Sequence, residues 1–283
     1  MLLKALKYDF RSILKIWTII TVAILLVSIL CGSALRYIID DSLNDSAAFL
    51  SPLAVIVLVL SVFALMAYMI APSILLYVRY YKNFYTDEGY LTFTLPVGRE
   101  TLFLSKILNA LIFNSLTAIT AFLSITIALA IAPKSSYAEG SMLSSVISSI
   151  NDTIKRSGNG YGYFFLKLLL GIVIALLVSI LITLVIYGCI SIASTIAKKM
   201  KLLACVLLIY GINTAVTIVG YILIALGNWF TEGLKTIDAY GSVPLEKLAE
   251  MSVMLVMIFS LCAIIPLVYK FVLGRIKNRL NLA

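Results

Sequence analysis

The sequence predicts an all-α integral membrane protein with six transmembrane helices. Three observations predict it. Hydrophobic residues make up 62% of the chain and charged residues 12%, where a soluble domain carries about a quarter charged residues. Six windows free of Asp, Glu, Lys and Arg reach roughly the 20 apolar residues that a helix needs to cross a hydrocarbon core of about 30 Å. They cover 16–35, 46–78, 107–133, 168–197, 202–231 and 251–269, and none is shorter than 19 residues. The third observation is charge placement. Alternate connections put 15 Lys and Arg residues on one face and 7 on the other, while the acidic residues divide 4 against 9. The basic face is the cytoplasmic one, so both termini are expected inside. Backbone groups in lipid have to be satisfied within their own segment, so the windows are helices rather than open strands. The alternation of a membrane barrel is absent.

Taken in order, residues 1–15 read as an amphipathic elbow. Leu2, Leu3, Leu6, Phe10, Ile13 and Leu14 share one face, and Lys4, Lys7 and Arg11 lie on another. The first span, 16–36, is expected as an uncleaved helix. Its apolar run is longer than the roughly 7–15 residues of a signal peptide, and Leu30 before Cys31 is not the small residue of a lipoprotein site. The remaining spans are placed at about 53–78, 107–132, 168–196, 202–228 and 251–270, within a single domain of 1–283.

Two connections on the far face are longer than simple loops. Residues 133–162 are Ser-rich and place Met142, Leu143, Val146, Ile147, Ile150 and Ile154 at helical spacing, which predicts a short amphipathic helix on the outer surface. Residues 228–250 mix apolar and charged positions, with Trp229 and Phe230 suited to the interface belt.

Several function classes are excluded by what is missing. There is no histidine, and no charged residue lies deep in a span, where proton-coupled carriers and voltage sensors keep ionisable groups. No zinc-ligand set exists, no G-x-x-x-x-G-K-[ST] loop exists, and no halves repeat. Cys31, Cys189, Cys205 and Cys262 have no ligand spacing and read as small packing residues. No catalytic residue, metal or cofactor is assigned, and no enzyme activity is expected of this chain. The net charge of +9 follows from the cytoplasmic bias and from anionic lipid and requires no nucleic acid. Inside the spans the polar residues are few: Asn109, Asn114 and Asn213. Each either bonds across a helix interface or lines a path through the membrane.

The stretch YYKNFYTDEGYLTFTLPVGRETLFLSK, residues 80–106, carries charges of both signs between two apolar spans. Tyr81, Phe84, Tyr85, Glu88, Leu91 and Leu95 share one helical face. Pro96 ends the element, and Gly98, Arg99 and Glu100 restart a helix that runs into the third span. Residues 90–95 also alternate, so a short strand stays open. A helix lying along the membrane surface, a Pro turn and a helix entering the bilayer is the expected arrangement.

The run from Thr86 through Asp87, Glu88, Gly89, Tyr90, Leu91, Leu95, Pro96 and Val97, followed by a basic residue and Lys106, resembles the cytoplasmic segment after the second span in ATP-binding-cassette permeases of the type-2 family, in a bacterial branch. The resemblance implies a permease subunit of an exporter in the bacterial cytoplasmic membrane. It implies two such subunits, identical or related, forming a path between them, and a separate nucleotide-binding ATPase that hydrolyses ATP. It also implies a cytoplasmic coupling helix between the second and third spans. By position, Phe84, Tyr85, Thr86, Asp87, Glu88, Gly89, Tyr90, Arg99 and Glu100 would then meet the ATPase. The long 133–162 connection is not matched to a family element. The second reading is a non-transport membrane sensor or assembly scaffold that binds a soluble partner through the same segment.

Overall fold

A computed structural model of the chain describes residues 2–39, 50–86, 88–89, 94, 97–135, 138–156, 160–196, 203–214, 217–218, 221–222, 225, 229 and 245–278. In chain order the elements are α1 (Leu2–Ile39), α2 (Leu50–Tyr85), α3 (Arg99–Ile131), β1 (Pro133–Ser135), β2 (Ala138–Ser141), α4 (Met142–Arg156), α5 (Gly160–Ile196), α6 (Leu203–Thr214) and α7 (Leu245–Asn278). α1, α2, α3, α5 and α7 are long and apolar enough to cross a membrane. The chain is a multi-pass membrane protein built almost wholly of α-helix. α6 is apolar but short as described, and most of the rest of the expected span at 202–228 lies outside the described residues.

The helices differ from the sequence expectation where two elements prove to be one. The elbow at 1–15 and the first span form a single 38-residue helix. Nothing between them breaks a helix: no Gly or Pro occurs before Gly32. Likewise residues 81–85 are not part of a separate surface helix but the last turn of α2, which runs 36 residues without interruption. At about 1.5 Å per residue, α2 is about 54 Å long, well beyond a core of about 30 Å. Arg79 and Lys82 mark where lipid ends, and a helix has no reason to end at the same place. Pro72 sits inside α2 without terminating it, as membrane helices tolerate.

The contacts divide the chain into two compact units. One comprises Leu3–Leu76 and Leu108–Phe164. Its core is built around Trp17 with Ile13, Leu76, Ala110 and Phe113, flanked by Phe10, Leu14 and Leu116. Lipid tails are as apolar as these side chains, so packing and hydrogen bonds rather than water exclusion hold such helices together. Trp17 Nε1 donates to Thr117 Oγ1 at 3.1 Å. The Thr21 hydroxyl meets Tyr68 Oη at 3.1 Å, and Tyr68 also bonds Thr120. At about 0.6 kcal/mol each, these bonds fix the register of α1, α2 and α3. Gly32 lets α1 approach α3 closely: a Cβ there would stand 2.8 Å from Ile131 Cβ and 2.9 Å from the Ala128 carbonyl oxygen.

The same unit carries a feature that periodicity did not announce. β1 and β2 pair antiparallel as a small hairpin. Gly140 takes φ +120°, a conformation that only glycine adopts without strain. Ser141 then caps α4, its Oγ accepting from Ser144 N at 3.4 Å, and Met142 N donates to Ala132 O at 2.8 Å. The helix expected over 142–154 is present as α4.

The other unit comprises Met1–Leu2, Tyr77–Ile107 and Phe165–Ala283. Within it the end of α2, the start of α3, α5 and α7 meet through aromatic side chains and through Gly188, whose missing Cβ faces Val272.

Candidate partner-docking site

The base of the site is aromatic. Tyr80 is fully buried and stacks on Tyr187 with ring centroids 4.0 Å apart and planes 16° from parallel. Phe84 lies 5.0 Å from Tyr80, Tyr85 6.0 Å and Phe103 6.3 Å. Tyr77 meets Tyr187 edge-on at 6.0 Å, and Phe103 meets Tyr269 at 5.4 Å. Each such pair adds about 0.5–1.5 kcal/mol beyond its area burial. Side chains from α2, α3, α5 and α7 thus lock together just beyond the span of α2. The Tyr80 and Tyr85 hydroxyls are buried and close no hydrogen bond of ordinary geometry, although Ser191 and Ser194 stand near Tyr85. An unpaired buried hydroxyl costs about 1–3 kcal/mol.

On this base α2 ends by its own chemistry. Thr86 Oγ1 donates to Lys82 O at 2.6 Å, and Gly89 N donates to Thr86 O at 2.8 Å, which turns the chain. Asn83 is the keystone of the turn. With its amide oriented to satisfy both neighbours, its oxygen accepts from Lys106 Nζ at 2.5 Å and its nitrogen donates to Glu88 Oε2 at 3.2 Å. Lys106 is buried, and Asn83 bridges its ammonium to the exposed Glu88.

The start of α3 is built as the sequence predicts. Gly98 O accepts from Thr101 N and Leu102 N at 3.0 and 3.2 Å, and Glu100 in the first turn suits the positive end of the helix dipole. Arg99 and Glu100 both reach the last turn of α7. Arg99 Nη1 donates to Lys277 O at 3.0 Å, and Lys277 Nζ pairs with Glu100.

The expected contact residues therefore separate into two layers. Glu88, Arg99 and Glu100 are exposed. Phe84 and Tyr85 are not surface anchors: they are 0% and 5% exposed and act from behind as part of the aromatic base. Thr86 is half-buried and Gly89 buried. Asp87 and Tyr90 lie outside the described residues, as does most of the coupling helix expected between α2 and α3. Sequence reasoning missed Tyr80, Tyr187, Asn83 and Lys277. The aromatic richness around 77–85 was a visible signal for the first pair, but nothing local marks Lys277 as the partner of Glu100.

Asn109 and Asn114 belong to one unit and Asn213 to the other. Asn109 is buried in the Trp17 unit, where Nδ2 donates to Leu6 O at 3.4 Å and Oδ1 lacks a partner. Asn114 Oδ1 accepts from Ser73 Oγ at 3.2 Å. Both hold helices to one another within that unit. Asn213 is exposed on α6. Among the described residues no three His, Cys, Asp or Glu side chains gather to hold a metal ion. No family model, no curated protein and no solved structure matches this chain.

Proposed function

We propose that this chain is the permease subunit of a bacterial ATP-binding-cassette exporter of the type-2 family, in the cytoplasmic membrane with both termini inside. It supplies half of a translocation path, pairs with a second permease subunit and docks a separate ATPase through the 80–106 segment. In this reading 202–228 is the fifth of six spans, and a coupling helix follows α2.

The observation that carries the reading is the seating of exposed charges on an aromatic base. Glu88 is held by Asn83 on α2, and Arg99 and Glu100 open α3, two of the four helices whose rings form the cluster that joins α2, α3, α5 and α7. A force applied to those charges reaches four helices through packed rings rather than through a slack loop.

A sensor or scaffold would use the same exposed charges to bind a soluble partner. The deciding experiment is affinity purification in mild detergent with mass spectrometry of the co-purifying chains. A P-loop ATPase in stoichiometric amount supports the permease reading. A different soluble partner, with no ATPase present, overturns it in favour of the sensor.

A further inference from the structure

α4 leaves an aliphatic row uncovered. Val146, Ile147 and Ile150 are 40%, 58% and 45% exposed, and only Ile154 on that face is buried. Ile147, Ile150 and Ile154 are the wall of a groove of about 550 Å³ that also includes Ser144, Ser148, Asn151 and Tyr161. Tyr161 belongs to two things at once. It donates a hydrogen bond to Asn151 Oδ1 in the middle of α4, and it stands in the first turn of α5, a membrane span. Phe164 and Phe165, also exposed, continue from it along that span. The groove therefore adjoins the exposed apolar surface at the start of α5. Tyrosine is a side chain that favours the level where a span enters the bilayer.

We infer that the groove between α4 and the first turn of α5 is a phospholipid site in the leaflet opposite the N-terminus. Three crossings, α1 to α3, separate α4 from the N-terminus and assign the leaflet. Acyl chain lies along Ile147, Ile150 and Ile154, and Tyr161 and Asn151 stand at the headgroup boundary. Two further features suit this place. The hydroxyls of α4 are turned back onto their own helix: Ser145 onto Met142 O at 2.7 Å, Ser148 onto Ser145 O at 2.9 Å, Ser149 onto Ser145 O at 2.8 Å and Thr153 onto Ser149 O at 2.7 Å. Helix α4 thus presents few unmet donors to a medium poorer in water than bulk solvent. Its C-terminal end carries the exposed Lys155, a basic residue suited to lipid phosphates. The inference is independent of the permease reading, since it concerns the opposite side of the membrane from the docking site.

The test uses the full chain with its four cysteines replaced, in vesicles of phosphatidylcholine and phosphatidylglycerol. A bimane probe is placed by Ile150→Cys in the groove, or by Asp152→Cys on the exposed opposite face of the same helix. Two quenchers are compared: phosphatidylcholine brominated high on its acyl chains, and aqueous iodide. Brominated lipid is expected to quench the Ile150 probe several-fold more than the Asp152 probe, with iodide showing the reverse order. Equal iodide quenching at both positions overturns the inference, because the groove would then face water. Protection of the Ile150 probe from both quenchers also overturns it, because protein, either a second copy or another part of this chain, would then cover the groove.

Discussion

Arg99 at the start of α3 donates a hydrogen bond to the carbonyl oxygen of Lys277 at the end of α7, at 3.0 Å. The last carbonyls of a helix have no partner within it, and a guanidinium satisfies one while complementing the negative end of the dipole. Lys277 answers with its ammonium on Glu100, in the positive first turn of α3. Each helix end thus carries the charge that the other requires. The link ties the candidate docking surface to the last span without any residue between Tyr85 and Gly98.

The first prediction concerns this link. The Lys277 and Glu100 side chains are 46% and 59% exposed, and exposed pairs contribute about 0–1 kcal/mol. Lys277→Glu is expected to lower thermal stability in detergent slightly, by no more than about 1 kcal/mol. The exchange Glu100→Lys with Lys277→Glu should recover part of it, though less than all, because both new charges oppose the helix dipoles. A differential scanning fluorimetry cycle of the two single variants and the double variant measures the coupling, and full additivity would remove it.

The second prediction uses the orphaned hydroxyl of Tyr80. Tyr80→Phe keeps the ring stacked on Tyr187 and removes a buried hydroxyl that closes no hydrogen bond of ordinary geometry. Stability should be unchanged or higher. Tyr80→Ala opens a cavity in the aromatic base and should cost about 3–5 kcal/mol, as large aromatic truncations do. A marked loss of thermal stability in Tyr80→Phe would mean that the hydroxyl is paired in the working protein.

The contrast between Tyr80 and Asn83 shows what was legible in the sequence. Membrane class and the start of α3 could be read directly, because charge-free length and the series Pro96, Gly98, Glu100 act locally. The apolar face of α4 was legible for the same reason: 3.6-residue spacing is a property of the segment alone. The end of α2 was not. Charges at Arg79 and Lys82 marked the limit of lipid, and that limit was taken as the limit of the helix, two events that need not coincide. The placement of Phe84 and Tyr85 depends on Tyr187 and Phe103, which are distant in sequence, so their burial was invisible. The hairpin before α4 rests on a few residues and one glycine torsion, too short for any periodicity. The asparagines were read by residue type alone, and type does not reveal a partner such as Ser73, whose hydroxyl donates to Asn114.

The third prediction tests the close approach of α1 and α3. A Cβ at position 32 would meet Ala128 O at 2.9 Å, a backbone atom that cannot turn aside. Gly32→Ala should force the helices apart and destabilise by about 1–3 kcal/mol, the range for overpacking. Trp17→Phe in the same unit should cost less, about 0.6 kcal/mol for the lost bond to Thr117 together with some packing. Melting temperatures of the two variants give the order, and Gly32→Ala above Trp17→Phe would reject the close contact.

Sidedness supplies the fourth prediction. The charge split of 15 against 7 predicts Lys82 inside and Ser144 outside. On a cysteine-free background, an impermeant maleimide added to whole cells should label Ser144→Cys and leave Lys82→Cys unlabelled until the membrane is opened. Both positions are exposed, so a lack of label reports the membrane rather than burial. Labelling of Lys82→Cys in intact cells would reverse the orientation.

The last prediction joins the candidate site to the proposed function. Glu88 is exposed, yet Asn83 holds it in place and is itself held by the buried Lys106. Its carboxylate is therefore preorganised for a cationic partner. Reversing its sign leaves that partner's charge facing a like charge at a desolvated surface, which costs more than the 0–1 kcal/mol of an exposed pair. Glu88→Lys should weaken ATPase docking by more than about tenfold, which corresponds to about 1.4 kcal/mol, with membrane insertion unchanged. Glu88→Gln keeps an oxygen for Asn83 and should lose less. Arg99→Glu should act in the same direction but more weakly, since part of its effect passes through Lys277. Lys277→Ala removes the ammonium from Glu100 but leaves the backbone carbonyl that Arg99 bonds, and so separates the ion pair from docking itself. The measurement is the amount of ATPase retained by each variant in detergent, followed by ATP hydrolysis and transport in vesicles. Full retention and normal coupling in the double variant Glu88→Lys, Arg99→Glu would remove the docking role from this segment and leave it a turn that caps α2 and starts α3.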